Sequence, residues 1–429
     1  MTSIMRLLAL ELDRHKLGLG LWSQVDQGVV SLGSFLLGLI LARSLPPAEY
    51  GVYALVWSAL LFLRGFHTSL VTYPLSVDWA KTEPGKLNAL VGGSLALTIA
   101  LGLPLMAGAA VAAVIVGRPG LVPWAMGALL AGHFQETTRR ALMAGLRHRA
   151  TVLGDSVSYL GQVAGLWAVA SSRRLSVEAA FAAMALTSLV AGFIQLRQLG
   201  APAFETRVLR ALVARSWELG RWLLLATLLS VFTIQVFPWT VGLMRGPAEA
   251  GQYQAAANLL GATHPVLFGL GNLLVPAVAQ ARACGGLSAS WRVARWYGLL
   301  GAVLLVPYLG VLWVWPGEVL RLVYGTGSPY MALETEVRLF ALAYATIYIG
   351  QLAGALLLGL EQSRASFWVT AACAAASVVV GMPLAAGYGV DGALAGLVVS
   401  RVAQVGSAIA LIVRFTQAVR QQGLETVRM

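Results

Sequence analysis

Residues 89–116 read ALVGGSLALTIALGLPLMAGAAVAAVIV, a run without a single charged side chain. At about 1.5 Å per residue, a helix of this length is longer than the roughly 30 Å hydrocarbon core of a bilayer. Comparable runs recur along the 429 residues, of which 58% are hydrophobic and 11% charged. Soluble domains carry roughly 25% charged residues. The sequence therefore predicts an all-α polytopic membrane protein.

The apolar runs divide into twelve predicted transmembrane helices. Their approximate bounds are residues 17–42, 51–76, 89–116, 121–146, 152–171, 177–197, 217–243, 252–280, 294–315, 335–360, 366–386 and 391–415. Six helices per half is an even number, so both halves enter and leave on the same side as a parallel repeat. We expect two pseudo-symmetric six-helix bundles around a central cavity.

The predicted domain organisation follows from these spans. Residues 17–200 form the N-terminal lobe and residues 217–416 the C-terminal lobe. Residues 201–216 are predicted to be a cytoplasmic linker that lies as an amphipathic helix on the inner surface. We expect residues 1–16 to be a cytoplasmic amphipathic lead-in and residues 417–429 a cytoplasmic tail.

The distribution of basic residues predicts the orientation of the chain. The formal net charge is +12, which is compatible with nucleic acid binding when it is considered alone. The basic residues, however, are concentrated in alternate loops, as the positive-inside rule requires of a membrane protein. We therefore expect both termini in the cytoplasm and no nucleic acid partner.

An internal repeat supports the two halves. The motif PAExGxY occurs at residues 47–53 and again at residues 247–253, an offset of 200 positions. A second pair of similar segments, ALMAGL at 141–146 and ALLLGL at 355–360, ends the fourth helix of each half. Proline and glutamate at a helix start are ordinary local chemistry. That chemistry explains one copy of PAExGxY but not the matched placement of two.

Polar side chains recur at helical spacing inside three predicted spans. They are Arg64, His67, Thr68 and Thr72 in the second helix, His133, Glu136, Arg139 and Arg140 in the fourth, and Asp155, Ser158, Tyr159 and Gln162 in the fifth. Asp26 lies near the middle of the first helix, and the offset of 200 places His264 at the position of Arg64. Ionisable residues at membrane depth are costly and commonly face a protein interior or a hydrated cavity.

Two interpretations of these residues stay open. In the functional one, Arg64, His67, Arg139, Arg140 and His264 bind an anionic substrate group such as a phosphate. The remaining candidates, Asp26, Glu136 and Asp155, then bind a coupling ion, H⁺ or Na⁺. In the structural one, the charged residues only pair with each other, as Glu136 could with Arg140 one turn on, and fix helix packing.

No catalytic, metal or cofactor motif is present. The sequence contains no HExxH, no Walker sequence and no zinc-spaced Cys/His cluster. Its two cysteines, Cys284 and Cys373, favour neither a disulfide framework nor a zinc site, and we expect both to be small buried hydrophobes. We therefore expect a protein that is not an enzyme and has no cofactor, catalytic residue or metal site.

Three motifs resemble the polysaccharide and oligosaccharide flippases of the multidrug/oligosaccharidyl-lipid/polysaccharide (MOP) exporter superfamily. Residues 41–54, LARSLPPAEYGVYA, are similar to the passage ARxLxPxEYGxYA of that family. The segment AGLR at 144–147 resembles its xGLxR ending of the fourth helix, and YGVDGA at 388–393 resembles YGxxGA before the last helix. The likeness extends to chain length and helix count.

The resemblance implies a transporter in the bacterial cytoplasmic membrane. Such flippases move a lipid-linked oligosaccharide, typically on an undecaprenyl diphosphate, between leaflets by alternating access for polysaccharide or O-antigen biosynthesis. The implied partners are the lipid-linked substrate, membrane lipids, a polysaccharide polymerase and glycosyltransferases. By position, Arg64 and His264 fall where the family has cavity residues. The first helix departs from the lipid II flippase branch, since it carries Asp26 where that branch has arginine.

Other classes of membrane protein remain as alternatives. A drug or cation antiporter of the same superfamily would prefer an acidic, aromatic cavity, whereas the charges here are mixed. A major-facilitator carrier would have a Gly- and Arg-rich loop after its second helix, which the segment DWAKTEPGK at 78–86 is not. A membrane-embedded glycan polymerase or ligase would be expected to have a large outer loop with Arg and His.

Overall fold

The computed structural model describes residues 14–428, apart from the side chains of residues 14–20, 207, 208, 268, 272, 418–420 and 422–428. Most of the predicted lead-in, residues 1–13, lies outside the described residues. From residue 14 to residue 428 every regular element is a helix and no strand is present. The prediction of an all-α protein is confirmed.

The helices form two compact units. The first comprises the described residues up to Ile40 together with Ala59–Leu224. Its helices, some of which extend into the second unit, are α1 (Arg14–Ser44), α2 (Pro47–His67), α3 (Tyr73–Trp79), α4 (Leu87–Ile115), α5 (Val122–Ala144), α6 (His148–Asp155), α7 (Gly161–Ser171) and α8 (Val177–Leu199). Single π-helical turns, Thr68–Thr72 and Ser156–Leu160, join α2 to α3 and α6 to α7.

The second unit comprises Leu41–Ser58 and the described residues from Leu225 onward. Its remaining helices are α9 (Thr206–Met244), α10 (Pro247–Leu259), α11 (His264–Val314), α12 (Pro316–Tyr324), α13 (Glu334–Gly359), α14 (Ser363–Ala376) and α15 (Met382–Arg428). A 3₁₀ turn, Leu260–Thr263, joins α10 to α11, and a π-helical turn, Ser377–Gly381, joins α14 to α15.

Glycines break the two longest helices, α11 and α15, at points between predicted membrane passes. In α11 the backbone leaves helical geometry at Gly285 and at Gly286, where φ is +67°. In α15 it does so at Gly389, where φ is +61° and ψ is −134°. Residues other than glycine rarely adopt these conformations. The breaks lie in the predicted gaps between the eighth and ninth and between the eleventh and twelfth helices.

Eight helical stretches among the described residues are long and apolar enough to cross a membrane. Two of them, Pro247–Val314 and Ser363–Gln417, contain the glycine breaks and so account for two passes each. The other two predicted spans are α5 and the pair α6–α7. The helix α5 carries the buried charged residues Glu136 and Arg139, and α6 carries Asp155, which lower the apolarity of these spans. The protein is therefore a multi-pass membrane protein, and its most polar helices belong to the first unit.

The structure adds detail to one sequence expectation and corrects another. The predicted linker helix is continuous with the seventh predicted span, since α9 runs without interruption from Thr206 to Met244. Its first turns contain neither proline nor glycine, the two residues that most disfavour a helix, so the helix continues from the linker into the span. Of the two cysteines, Cys373 is buried as expected, whereas Cys284 is exposed beside the glycine break of α11.

The two copies of PAExGxY pack against each other at the first turns of α2 and α10. A Cβ atom added at Gly51 would lie 1.7 Å from the carbonyl oxygen of Pro247. A Cβ atom added at Gly251 would lie 2.2 Å from the carbonyl oxygen of Pro47. Only glycine fits at either position, because the neighbouring atoms are backbone. Both contacts are inside the second unit, and they account for the glycine in each copy of the motif.

Candidate functional site

The candidate site is built around α5, which packs against α4 and α8 in the first unit. This helix carries six buried polar side chains within seven residues: His133, Gln135, Glu136, Thr137, Thr138 and Arg139. With 3.6 residues per turn, these positions point in more than one direction around the helix. They therefore contact side chains from several neighbouring helices.

Arg139 holds two buried carboxylates. Its Nη2 atom donates to Oδ2 of Asp26 on α1 at 2.6 Å, and its Nε atom donates to Oδ2 of Asp155 on α6 at 2.5 Å. The Arg139 side chain is 9% exposed, and the two aspartates are 1% and 0% exposed. Three elements distant in sequence are thus joined by one guanidinium group. Because charges inside a membrane protein need partners, this contact fixes the first unit internally.

Neutral side chains complete the surroundings of Asp155. Its Oδ1 atom accepts hydrogen bonds from Nε2 of Gln195 on α8 at 3.1 Å and from Nε2 of Gln135 at 3.4 Å. The Gln195 side chain in turn accepts from Thr138 at 2.9 Å, and Gln135 accepts from Ser158 at 2.9 Å. In contrast, Oδ1 of Asp26 is buried without a hydrogen-bond partner among the described residues. The two aspartates are therefore not equivalent.

Glu136 bridges two arginines that remain partly accessible. Nη2 of Arg64 on α2 donates to Oε2 of Glu136, and Nε of Arg140 donates to Oε1, each at 2.7 Å. The arginine side chains are 36% and 40% exposed, whereas that of Glu136 is 5% exposed. A guanidinium group has five N–H donors. Each arginine therefore keeps donors free for a further anionic group.

The six charges balance, but they divide into two parts. Arg139, Asp26 and Asp155 form a buried ion cluster, while Arg64, Glu136 and Arg140 form a half-exposed group that carries one excess positive charge. Arg139 Nη1 lies 3.6 Å from Glu136 Oε2 and so connects the two parts. The pairing of Glu136 with Arg140, which the structural interpretation allowed, is present. Partners for Arg64 and Asp26 come from another helix, α5.

His67 lies in a different environment from the arginines. It is fully buried and stacks on His133, with ring centroids 4.3 Å apart and ring planes 7° apart. Its Nε2 atom lies 3.0 Å from Oγ1 of Thr137 and 3.3 Å from Oγ1 of Thr98. The ring thus joins α2, α4 and α5. These contacts show that His67 packs α2 against α4 and α5.

His264 belongs to the second unit, at the first residue of α11. Its Nε2 atom lies 3.2 Å from the hydroxyl oxygen of Tyr344 on α13, and the two rings are stacked. The side chain is half-buried. The structure therefore brings seven of the eight candidate residues together in the first unit and places His264 among residues of the second. In the described part of the chain, no group of three His, Cys, Asp or Glu residues could hold a metal ion.

Sequence reasoning missed one charged residue at membrane depth. Arg401 lies in the last predicted span and is 7% exposed in the structure. The rule that singled out Arg64, a charge in the middle of an apolar span, applies equally to Arg401. Gln135 and Gln195, which position Asp155, were missed for another reason, since uncharged polar side chains are common in helices and give little signal.

Two of the three π-helical turns lie directly after site residues. Thr68–Thr72 follows His67, and Ser156–Leu160 follows Asp155. Such turns in otherwise α-helical segments are rare and frequently occur at functional sites. The backbone thus departs from regular α-helix next to two buried site residues, His67 and Asp155.

Several solved structures of transporters are similar to this chain in fold. An inward-facing multidrug resistance MATE family transporter of the MOP superfamily aligns with a TM-score of 0.74 at 14% identity, covering 92% of this chain and 98% of that chain. The lipid II flippase MurJ, in an inward closed conformation, aligns with a TM-score of 0.74 at 8% identity, covering 91% and 87%.

A third similar structure is a MOP superfamily transporter from Pyrococcus furiosus, described as having a binding pocket of reverse polarity. It aligns with a TM-score of 0.60 at 13% identity, covering 91% of this chain and 92% of that chain. No family model matches the chain, and neither does any curated protein sequence. At these identities the likeness establishes the fold.

Proposed function

We propose that this chain, which has the fold of MOP superfamily transporters, moves a lipid-linked oligosaccharide across the bacterial cytoplasmic membrane. The carrier would be an undecaprenyl diphosphate, and the step would serve polysaccharide or O-antigen biosynthesis by alternating access. Glycosyltransferases would supply the substrate and a polymerase would use the product. We propose that both termini lie in the cytoplasm.

The observation that carries this proposal is the half-exposed pair of arginines on Glu136. Arg64 and Arg140 are each bound to the carboxylate by one N–H group, which leaves most of their donors free. Guanidinium groups bind phosphate oxygens through paired, charge-assisted hydrogen bonds. Two such groups held by one buried carboxylate suit a diphosphate, which presents several anionic oxygens. We propose His264, in the second unit, as a further substrate-binding residue.

Arg139 has a different role in this proposal from the one its sequence position suggested. Its guanidinium group is buried and is already bound to Asp26 and Asp155, so we assign it to charge compensation. Two carboxylates face one guanidinium group there. An additional H⁺ or Na⁺ would relieve that imbalance, so we propose that Asp26 and Asp155, with Glu136 nearby, bind the coupling ion.

The same carboxylates favour one alternative, a drug or cation antiporter. Buried acidic residues in the first unit could bind an organic cation in exchange for an ion, and MATE family transporters share the fold. The two functions differ in the sign of the charge on the transported substrate. A substrate group with negative charge requires the half-exposed arginines, whereas a cationic drug would be repelled by them.

A reconstituted assay tests the proposal. The purified full-length protein is placed in liposomes with a fluorescent oligosaccharide linked to undecaprenyl diphosphate, and a membrane-impermeant quencher reports exchange between leaflets. We expect exchange well above that of protein-free liposomes, and none for a matched polyprenyl glycoside without the diphosphate. Ethidium transport in a parallel arm, without lipid exchange, would instead establish the antiporter.

A further inference from the structure

The second unit contains a buried cation whose surroundings lack an opposite charge. Arg401 lies on α15, about 17 Å from the start of its helical segment at Val390, given a rise of about 1.5 Å per residue. It is 7% exposed, so its guanidinium group is enclosed by neighbouring residues. Long basic side chains near helix ends usually extend to the interface. Arg401 is therefore held deep inside the unit.

The contacts of Arg401 are with neutral groups. Its Nη1 atom donates to Oε1 of Gln404 at 2.9 Å, and its Nη2 atom donates to Oγ1 of Thr233 on α9 at 3.2 Å. Its Nε atom is buried without a hydrogen-bond partner. Among the residues that the structure describes, no Asp or Glu forms an ion pair with it. This contrasts with Arg64, Arg139 and Arg140, each of which contacts a carboxylate.

A second feature lies at the same place. The thiol of Cys373 on α14 interacts with the Thr233 hydroxyl and with the guanidinium charge. The π-helical turn Ser377–Gly381 begins one helical turn after Cys373, and its Ser377 hydroxyl donates to the Cys373 carbonyl at 2.9 Å. In the first unit, both π-helical turns adjoin buried polar side chains. The third turn thus also marks a polar site.

We propose that Arg401 binds a small monovalent anion of chloride size inside the second unit. An isolated buried charge is strongly destabilising, and an anion of one charge balances one guanidinium group. The unpaired Nε–H and the planar guanidinium edge supply donors for it. A phosphate group fits less well for two reasons. The site is buried, which disfavours a bulky ligand, and one guanidinium group cannot compensate both negative charges of a doubly charged phosphate.

The proposed anion site is distinct from the arginine pair proposed for the diphosphate. The arginines Arg64 and Arg140 belong to the first unit and are half-exposed, whereas Arg401 is buried in the second. An anion bound at Arg401 would stabilise the folded second unit by mass action, because the unfolded chain lacks the site. The inference does not depend on which substrate the protein moves, and a protein inactive in transport could still bind the anion.

Thermal unfolding of the detergent-solubilised full-length protein tests the inference. Tm is measured in sodium chloride, bromide, phosphate and gluconate at equal ionic strength, and binding of ³⁶Cl⁻ is measured by equilibrium dialysis. We expect saturable binding of one chloride per chain, and a Tm that rises with chloride or bromide relative to gluconate. Absence of ³⁶Cl⁻ binding, or a Tm that rises with phosphate alone, would overturn the proposal.

Substitutions connect the anion to the residue. Arg401→Leu should lose both ³⁶Cl⁻ binding and the halide-dependent rise in Tm, and its Tm in gluconate should equal or exceed that of the wild type, because the unpaired charge is gone. Arg414→Leu, an exposed arginine of the same helix, is the matched control and should keep both. If Arg401→Leu does not fold, Arg401→Gln replaces it. Chloride binding by either Arg401 variant at wild-type affinity would contradict the assignment.

Discussion

Arg64 on α2 donates to Glu136 on α5 at 2.7 Å, although the two residues are 72 positions apart in sequence. The same carboxylate also accepts from Arg140, so one buried anion positions two half-exposed cations. The ion pair compensates the charge of the buried Glu136 carboxylate. Its value lies in geometry, because the carboxylate fixes where the two guanidinium groups can meet a substrate.

Arg139→Gln should destabilise the protein severely. The substitution leaves Asp26 and Asp155 as buried carboxylates without their cation, and removal of one partner from a buried ion pair costs about 3–5 kcal/mol. Thermal unfolding of the purified variant in detergent measures the loss. Adding Asp26→Asn and Asp155→Asn to Arg139→Gln should recover part of it. A Tm equal to that of the wild type would show that the cluster does not stabilise the first unit.

Asp26→Asn should alter ion coupling and preserve the fold. An asparagine oxygen can still accept from Arg139, but the two-carboxylate imbalance around that residue disappears. Lipid exchange is measured in liposomes under imposed pH and Na⁺ gradients. The wild-type rate should respond to one of them and the variant rate should not, whereas Asp391→Asn, an exposed residue, should respond normally. A wild-type rate independent of both gradients would count against a coupling role.

Gly51→Ala should weaken the contact between α2 and α10. The new methyl group would approach the Pro247 carbonyl oxygen to 1.7 Å, and overpacking of this kind costs about 1–3 kcal/mol or more. Gly251→Ala should behave in the same way. Gly354→Ala in α13 is the control, because its Cβ would meet no atom within 4 Å. Equal Tm values for the Gly51 and Gly354 variants would show that the close approach is not required.

Helix positions and contacts along one helix could be predicted from the sequence. The uncharged run at residues 89–116 corresponds to α4, Leu87–Ile115, and the spacing of Glu136 and Arg140 correctly gave a pair one turn apart. The matched motifs at residues 47–53 and 247–253 correctly indicated that α2 and α10 begin alike. These features depend on local periodicity, which a single sequence contains.

Contacts between helices could not be predicted in the same way. Asp26 and Arg139 are 113 positions apart, and their ion pair depends on which faces of α1 and α5 meet. Hydropathy gives the depth of a charge in the membrane but not its direction around the helix. Arg139 was therefore grouped with the substrate-binding arginines, although packing buries it with Asp26 and Asp155. Arg401, by contrast, could have been predicted from the sequence, because it is a charge in the middle of an apolar span, as Arg64 is.

Lipid exchange by Arg64 variants tests most directly the claim that half-exposed arginines bind the diphosphate. Loss of a hydrogen bond to a charged group costs about 1.5–3 kcal/mol, and about 1.4 kcal/mol corresponds to a factor of ten. Arg64→Ala should therefore lower the exchange rate at least about tenfold, with normal membrane insertion and Tm, while Arg64→Lys retains part of the rate and the exposed control Arg295→Ala retains all of it. Wild-type exchange by Arg64→Ala would remove this residue from the mechanism and contradict the account.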